Sequence, residues 1–562
     1  MKHILQKSFF TREKVVLMTI IGLALLLRVW QLGIVPPSPD WDEAALGYNA
    51  YSLLETGKDE YGVTFPIVLE SFQDYKPALY TYLIIPLLPL FGLDLIAIRL
   101  PSAILGVIVV YITYKIVAEL LRRSRLKEIS KNYTIYTWLP LLSALLLAIS
   151  PWHIQFSRVA FETNLGLTLN LLCIYFFLKS LGKPFFLFYA ATFAALSLYA
   201  YQSEKIFVPL LLLSLVIIYG KEILRFPKKI LISSFLLGFL LVLPMLHFIF
   251  TNDEALARAQ STSIFANNQK LLEPSLARLV VATENNDVLG MIVNNRRVAY
   301  TGQMVVNYVS HFNPVWLFIT GDIERHHAPQ MGLLYWFELP FLLLGFFTLF
   351  FSRKLPLGRK EKAVIILWIL IAPLPASFTN DVPHAVRTLN FLPTFQIVTA
   401  VGILSVVLFM SRFKKYKRVF FTVGLILMLC NFLYFLNQYF VEQNKQYSKD
   451  WQYGYKEAVM KVETMDKKYE KIVIANQSPM DQSHIFFLYY LEYPPALYQK
   501  EQDEKKSFAN FEFRPILWNE ERKDGTTLFI GRPKDFPDAI VPLYRIDYLN
   551  NEPAIYFVDS QN

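Results

Sequence analysis

The sequence predicts a mainly α fold. It reads as a polytopic transmembrane helical bundle of about eleven spans, followed by a small extracytoplasmic α/β C-terminal domain. Three observations predict it. The 562 residues are 54% hydrophobic and 18% charged, with a mean hydropathy of +0.35, which is too apolar for a soluble chain of this length. Long apolar runs recur, among them Val15 to Leu27, Ile96 to Val117, Leu139 to Ile149 and Leu231 to Phe250. Basic residues collect in alternate gaps between the runs, as they do in cytoplasmic loops.

Crossing the hydrocarbon takes roughly 20 mostly apolar residues. These runs are too long and too uniformly apolar for barrel strands. The first run has basic flanks, Lys14 and Arg28, and no small-residue cleavage pattern, so it reads as a retained span rather than a signal peptide. The expected span centres fall near Leu25, Val109, Leu146, Leu171, Thr192, Leu212, Leu240, Leu342, Leu370, Leu404 and Leu427.

One side of the membrane then receives Lys7, Arg12 and Lys14, and next Arg122, Arg123, Arg125, Lys127 and Lys131. Further along it receives Lys179 and Lys183, then Lys221, Arg225, Lys228 and Lys229. Its last two groups are Arg353, Lys354, Arg359, Lys360 and Lys362, and Arg412, Lys414, Lys415, Lys417 and Arg418. That side is cytoplasmic by the positive-inside rule, so the N-terminus is cytoplasmic in a cell (cytoplasmic) membrane.

The opposite side receives a first outer loop over 33–95, a short loop over 150–163, the group Gln202, Glu204 and Lys205, a large loop over 251–332, and 380–387. A membrane domain over 1–439 is followed by the extracytoplasmic domain over 440–562. Helical sequence surrounds Trp451, and Lys471 to Ala475 and Thr527 to Ile530 read as strands. No internal repeat marks the inverted architecture of many transporters.

The net charge of +10 lies in the segments between spans, which excludes nucleic acid as a partner. Cys173 and Cys430 both lie in apolar runs. They read as small buried hydrophobes, with no disulfide framework and no zinc motif.

Four outer segments carry candidate chemistry. The first outer loop holds Asp40-Trp41-Asp42-Glu43, then Tyr48, and Asp74-Tyr75-Lys76-Pro77. A carboxylate at the membrane surface suits a general base for an acceptor hydroxyl, and a lysine is a compact charge for a phosphate. The bland reading is a solvated acidic loop. The second segment, Ser150 to Asn164, places Arg158 and Glu162 four apart, on one face if helical. Its bland reading is an interfacial ion pair beside Trp152.

The third segment, Asn380 to Arg387, sets His384 and Arg387 at the start of a membrane helix, a ready phosphate site. Snorkelling of Arg387 is the alternative. The fourth, Gly321 to Gly332, holds Asp322, Glu324, Arg325, His326 and His327. Its spacing matches no zinc motif, which favours a polar loop with an anion-binding Arg325 over a metal centre. Neither a Walker loop nor a Gly-rich Rossmann turn is present. A donor resident in the membrane, with a phosphate head and a lipid tail, suits such a face.

With these residues in view, the chain resembles the GT-C membrane glycosyltransferases, in particular the protein O-mannosyltransferases and the aminoarabinose (lipid A) transferases. The resemblance runs from about Val15 to Val406, with the motifs in order. It rests on Asp42-Glu43, Lys76-Pro77, Arg99-Leu-Pro-Ser102, Ser157-Arg158 through Glu162, and His384 with Arg387 and Pro393. The aminoarabinose transferases carry an acid before the lysine that is linked to a bound metal. Here that position is Tyr75, with Asp74 one earlier. The inserted luminal sugar-fold domain of eukaryotic protein O-mannosyltransferases has no counterpart here.

The resemblance implies an inverting glycosyltransferase, hexosyl or pentosyl, that moves a sugar from a polyprenyl-phosphate donor to a cell-envelope acceptor, whether protein, lipid or glycan, on the outer face of the bilayer. It implies Asp42, with Glu43, as catalytic residues and Asp42 as the base. Lys76, Arg158, Arg325, His384 and Arg387 would meet the donor phosphate, and Asp40, Tyr48 and Glu162 the acceptor or sugar. No cofactor is certain, and a divalent metal is the one candidate. The alternative class is a flippase or transporter of lipid-linked sugars, which would place charges near the bilayer midplane and open to both sides. A structural relative without activity is a third reading, and the intact Asp42-Glu43 pair speaks against it.

Overall fold

A computed structural model of the chain describes residues 2–72, 74–124, 133–252, 262–266, 269–352, 355, 357–465, 468–501, 507–521 and 525–561. Arg125, Lys127, Lys131, Arg353 and Lys354 lie outside the described residues, as do 253–261 and 267–268 of the large outer loop and the side chains of Lys7 and Lys414.

Every expected span centre falls within a helix, from Leu25 in Lys2–Val29 to Leu427 in Lys414–Asn437. Among the described residues five helices are both long and apolar enough to cross a bilayer: Leu95–Arg123, Glu204–Ile223, Lys228–Thr251, Leu389–Met410 and Lys417–Gln446. The chain is therefore a multi-pass membrane protein. Several other expected spans are shorter apolar helices, such as Trp138–Ile149, Pro184–Ser197 and Glu338–Phe351, so length and composition establish fewer crossings than the eleven expected.

Without a hydrophobic drive between helices in lipid, close backbone approach holds a bundle together. The helices Glu338–Phe351 and Thr394–Met410 use two glycines for it. A Cβ on Gly345 would collide with the carbonyl of Val398, and one on Gly402 with the carbonyl of Phe341.

The first outer loop is held from below by two arginines. Arg158 donates to the carbonyls of Leu27, Arg28, Gln31 and Val35 at 3.0–3.2 Å and to the Tyr439 hydroxyl at 3.3 Å. Arg99 donates to the carbonyls of Leu32, Pro36 and Ser38 at 2.9–3.1 Å. Both are fully buried. The carbonyls at the end of helix Lys2–Val29 and in the turn after it thus find donors that a helix end cannot supply.

Above this turn stands the helix Trp41–Thr56, and then a hairpin, β1 (Val68–Ser71) against β2 (Asp74–Pro77), with Leu69 opposite Lys76. The C-terminal part carries a five-stranded sheet of β3 (Lys471–Ile474), β4 (Phe511–Phe513), β5 (Thr527–Gly531), β6 (Tyr544–Asp547) and β7 (Pro553–Asp559) in the order β4-β3-β5-β7-β6. Strand β3 is parallel to β4 and β5, and β7 is antiparallel to β5 and β6. The two strands expected from sequence are its centre.

The helical segment expected around Trp451 begins later, at Tyr455. Trp451 itself is buried in a turn, where its carbonyl accepts the Ser38 hydroxyl. The helix Ser483–Tyr490 packs on Trp41–Thr56, with Tyr489 against Gly47. The first-loop helix is therefore sandwiched between the bundle and the sheet-bearing part.

Because Gly402 has a backbone oxygen where a side chain would go, Gly402→Val should lower stability by at least the ~1–3 kcal/mol usual for overpacking. Thermal unfolding in detergent would register it as a lowered midpoint. An unchanged midpoint would contradict this packing.

Candidate active site

Six chain segments surround one cavity of about 200 Å³. Asp42 comes from the first turn of Trp41–Thr56, Lys76 and Pro77 from β2, and Phe161 and Glu162 from the start of helix Glu162–Ser180. Tyr201 and Gln202 come from a turn, Ile323, Arg325 and His326 from the large loop, and His384 and Val386 from the last loop. Five of the ten residues expected from sequence thus share this cavity: Asp42, Lys76, Glu162, Arg325 and His384. The volume is below that of a drug-sized pocket.

The walls are tied to one another. The Gln202 amide donates to the Tyr75 carbonyl at 2.6 Å, the Thr163 hydroxyl to the Val386 carbonyl at 3.0 Å, and the Gln155 amide to the Arg325 carbonyl at 2.8 Å. The Lys76 ammonium forms an ion pair with Asp42 and stands 5.5 Å from the Phe72 ring centre. Glu204, expected in an outer loop, instead opens a membrane helix fully buried. It accepts from the amides of Asn170 at 2.6 Å and Asn390 at 2.8 Å, and so joins the segment after Gln202 to the segment after Arg387.

The other expected residues lie around the cavity rather than on it. Asp40 caps the helix Trp41–Thr56 by accepting the Glu43 N–H at 2.8 Å and pairs with Arg325 at 3.0 Å. Arg325 also stacks 4.4 Å from the Trp41 ring centre. Burial, with the charge of Asp42, pushes the Asp40 carboxyl up to about 7 against the pull of Arg325. Glu43 is buried in a bidentate pair with Arg99, at 2.8 and 2.7 Å, and accepts the Ala160 N–H at 2.9 Å. Its geometry is that of a strut.

Arg158 does not reach the cavity, because its guanidinium is spent on the carbonyls named above. Nor do Arg158 and Glu162 share a helix: one helix ends at Phe156 and the next begins at Glu162. Tyr48 faces the other way, its hydroxyl donating to the Tyr493 carbonyl at 2.9 Å. His384 and Arg387 precede the span Leu389–Met410, which opens with the short helical turn Leu389–Phe391 and continues as the helix Thr394–Met410. Arg387 donates to the Thr379 hydroxyl at 2.6 Å and the Asn380 carbonyl at 2.7 Å.

Sequence spacing missed one grouping. Asp322, His326 and His384 bring ligand-type atoms within 4.8 Å of one another. His326 Nδ1 meets Asp322 at 2.9 Å, and Asp322 also accepts the Ala385 N–H at 2.6 Å. Burial would raise Asp322, but the hydrogen bond and charge of His326 outweigh it and hold the carboxyl at about 2. Burial, then the charges of His326 and Arg387, lower His384 well below the usual histidine range, leaving a neutral imidazole at neutral pH. Its Nδ1 is buried with no hydrogen-bond partner. Two imidazoles and a carboxylate are a donor set that fits a zinc-type divalent ion. The contact spans 58 residues between Asp322–His326 and His384, so no local motif announces it.

No protein-family model and no curated protein matches the chain. Among solved structures it resembles ArnT from Cupriavidus metallidurans in the apo state, with a TM-score of 0.51 at 9% identity over 99% of this chain and 98% of that one. The same protein bound to undecaprenyl phosphate gives 0.51 at 10% identity, over 98% of each chain. The archaeal oligosaccharyltransferase AglB from Archaeoglobus fulgidus, with an inhibitory peptide and a dolichol-phosphate, gives 0.49 at 12% identity, over 93% of this chain and 69% of that one. The likeness to ArnT is one of fold, and it extends over nearly the whole of both chains. It is the fold that the sequence resemblance implied.

Asp40 gives the site a pH signature. Native Asp40 keeps its proton up to about pH 7, while the unfolded chain releases it near pH 4. The native state binds more protons between these values, so this group's stabilisation is full below about pH 4 and is lost as pH rises through about 7. Asp40→Asn keeps a good helix cap and should flatten that slope. Thermal midpoints of both proteins across this range would test it, and parallel curves would refute it.

Proposed function

We propose that the chain is a glycosyltransferase that moves a sugar from a polyprenyl-phosphate donor to an envelope acceptor on the outer face of the cytoplasmic membrane, with inversion. The observation that carries the reading is the convergence of Asp42, Lys76, Arg325, His384 and Glu162 on one small cavity in a multi-pass membrane protein. An ArnT structure of the same fold is described as bound to undecaprenyl phosphate, a lipid of the proposed donor class.

In this reading Asp42 takes the proton of the acceptor hydroxyl. The acceptor oxygen bonds to the anomeric carbon from the face opposite the phosphate. The bond from that carbon to the phosphate oxygen breaks, and polyprenyl phosphate leaves with the electron pair. Lys76 and Arg325 stand where that negative charge develops, with Arg387 adding longer-range positive charge. Glu162 holds a sugar hydroxyl.

Lys76 pairs with Asp42 before substrate arrives, so the donor phosphate competes for its charge and the base is freed as the site fills. Asp322, His326 and His384 would hold a divalent ion, which when bound supplies further positive charge beside the phosphate. Charged side chains gathered at one end of the bundle favour an enzyme over a flippase.

Sugar transfer by purified protein in lipid, with labelled polyprenyl-phosphate sugars and an envelope extract, tests the reading. Asp42→Asn should cut the rate about 10²–10⁴-fold without lowering the thermal midpoint. Labelled lipid crossing between leaflets at equal rates in both proteins, with no transfer, would instead establish the flippase. Elemental analysis tests the ion. Wild type should carry about one divalent metal per chain and His384→Ala much less, while metal-free wild-type protein after exposure to zinc would end that assignment.

A further inference from the structure

Among its described residues the large loop holds the helices Gln269–Glu284, Val288–Val293 and Arg296–Ser310, which the proposed chemistry does not use. Their amphipathicity is inverted. On Arg296–Ser310, positions 298, 302, 305, 306 and 309 share one face at helical spacing. Val298, Val305, Val306 and Val309 on that face are 43–61% exposed, and the space beside Gly302 is open.

The opposite face is polar and turned inward. Asn307 is buried and donates to the carbonyls of Ser377 at 3.2 Å and Thr379 at 3.0 Å. His311, just past the helix, is buried and accepts the His384 N–H at 3.2 Å. The short helix before it repeats the pattern, with Val288, Leu289, Ile292 and Val293 at 54–71% exposed, and Leu276 and Val280 extend it onto Gln269–Glu284.

A loop surrounded by water would put these side chains inside. From this inversion we infer that residues 269–310 form a membrane-surface element whose apolar face lies among the lipid acyl chains. The occupant is the bilayer that the five spans already fix beside it. The Tyr308 hydroxyl donates to the Leu370 carbonyl at 2.8 Å, at the end of helix Arg359–Ile371, so the element sits at the level where that helix ends. The three helices are too short or too polar to cross. Exposed Arg278, Arg296 and Arg297 suit headgroup phosphates, as on other interfacial helices.

Through Asn307 and His311 this element is hydrogen-bonded to the loop that carries His384. Lipid contact on one face and a cavity wall on the other are therefore joined by a single helix. The inference stands on exposure and hydrogen bonding and does not require glycosyl transfer.

Spin labels on full-length protein in nanodiscs test it. In a Cys430→Ser background, labels at Leu289→Cys and Val305→Cys should show a ratio of oxygen to water-soluble nickel-chelate accessibility several-fold above that at Lys534→Cys in the sheet-bearing part. Val298→Cys replaces Val305→Cys if the latter disturbs the helix. Ratios equal to that of Lys534→Cys would overturn the inference. So would labels shielded from both reagents with dipolar broadening, which would assign the face to a second copy of the chain.

Discussion

Two buried guanidiniums fix the geometry on which the rest depends. A helix end leaves carbonyls without partners, and at the edge of a bilayer little water is at hand to take them. Arg158 and Arg99 between them collect seven carbonyls from residues 27–38. Only arginine offers five fixed donors. Lysine has three on a flexible stem, so exchange is not conservative here. Arg99 spends its remaining donors on Glu43, and the ion pair closes with both partners buried. Removing either one would leave a bare charge inside, which costs about 3–5 kcal/mol. That closure sets the first turn of Trp41–Thr56, and Asp42 is placed by it.

The cavity then follows from ties between distant segments. Asp40 locks the same turn to Arg325 of the large loop, and Lys76 reaches Asp42 because β1 and β2 pair in one register. Beneath, Glu204 joins two asparagines from separate helical segments. A carboxylate so placed in a bundle is costly, and a network that satisfies its oxygens gives rigidity in return. The side chains that touch the cavity are held by others that do not, which is what preorganised electrostatics requires.

That division explains what was legible in the sequence. Helix positions were, because long apolar runs report directly on solvent, although only five of these helices are long and apolar enough to be established as spans among the described residues. That Asp42, Lys76, Arg325 and His384 border one cavity was foreshadowed by the ordered motifs and outer segments in which they stand. The roles of Arg158 and Glu43 were not. A motif records that a residue is needed, while strut and catalyst look alike until the partners are seen. Arg158 and Glu162 lie four apart, yet a break after Phe156 puts them to separate uses. The spacing of Tyr48 could not reveal that the sheet-bearing part covers it.

The site lies where two media meet, and its walls divide accordingly. Glu162, Tyr201 and Gln202 stand at or beside the ends of bundle helices, while Asp42 and Lys76 belong to a loop clamped by the sheet-bearing part. In the proposed reaction the lipid-tailed donor would enter from the first side and the acceptor hydroxyl past the second. Asp42 belongs to the second wall, and Lys76 and Arg325 flank it. The helix Trp41–Thr56 serves both walls at once, since Asp42 projects into the cavity from its first turn while Tyr48 and Ser52, further along, bind the C-terminal part. Movement of that part would therefore reach Asp42 through a single helix.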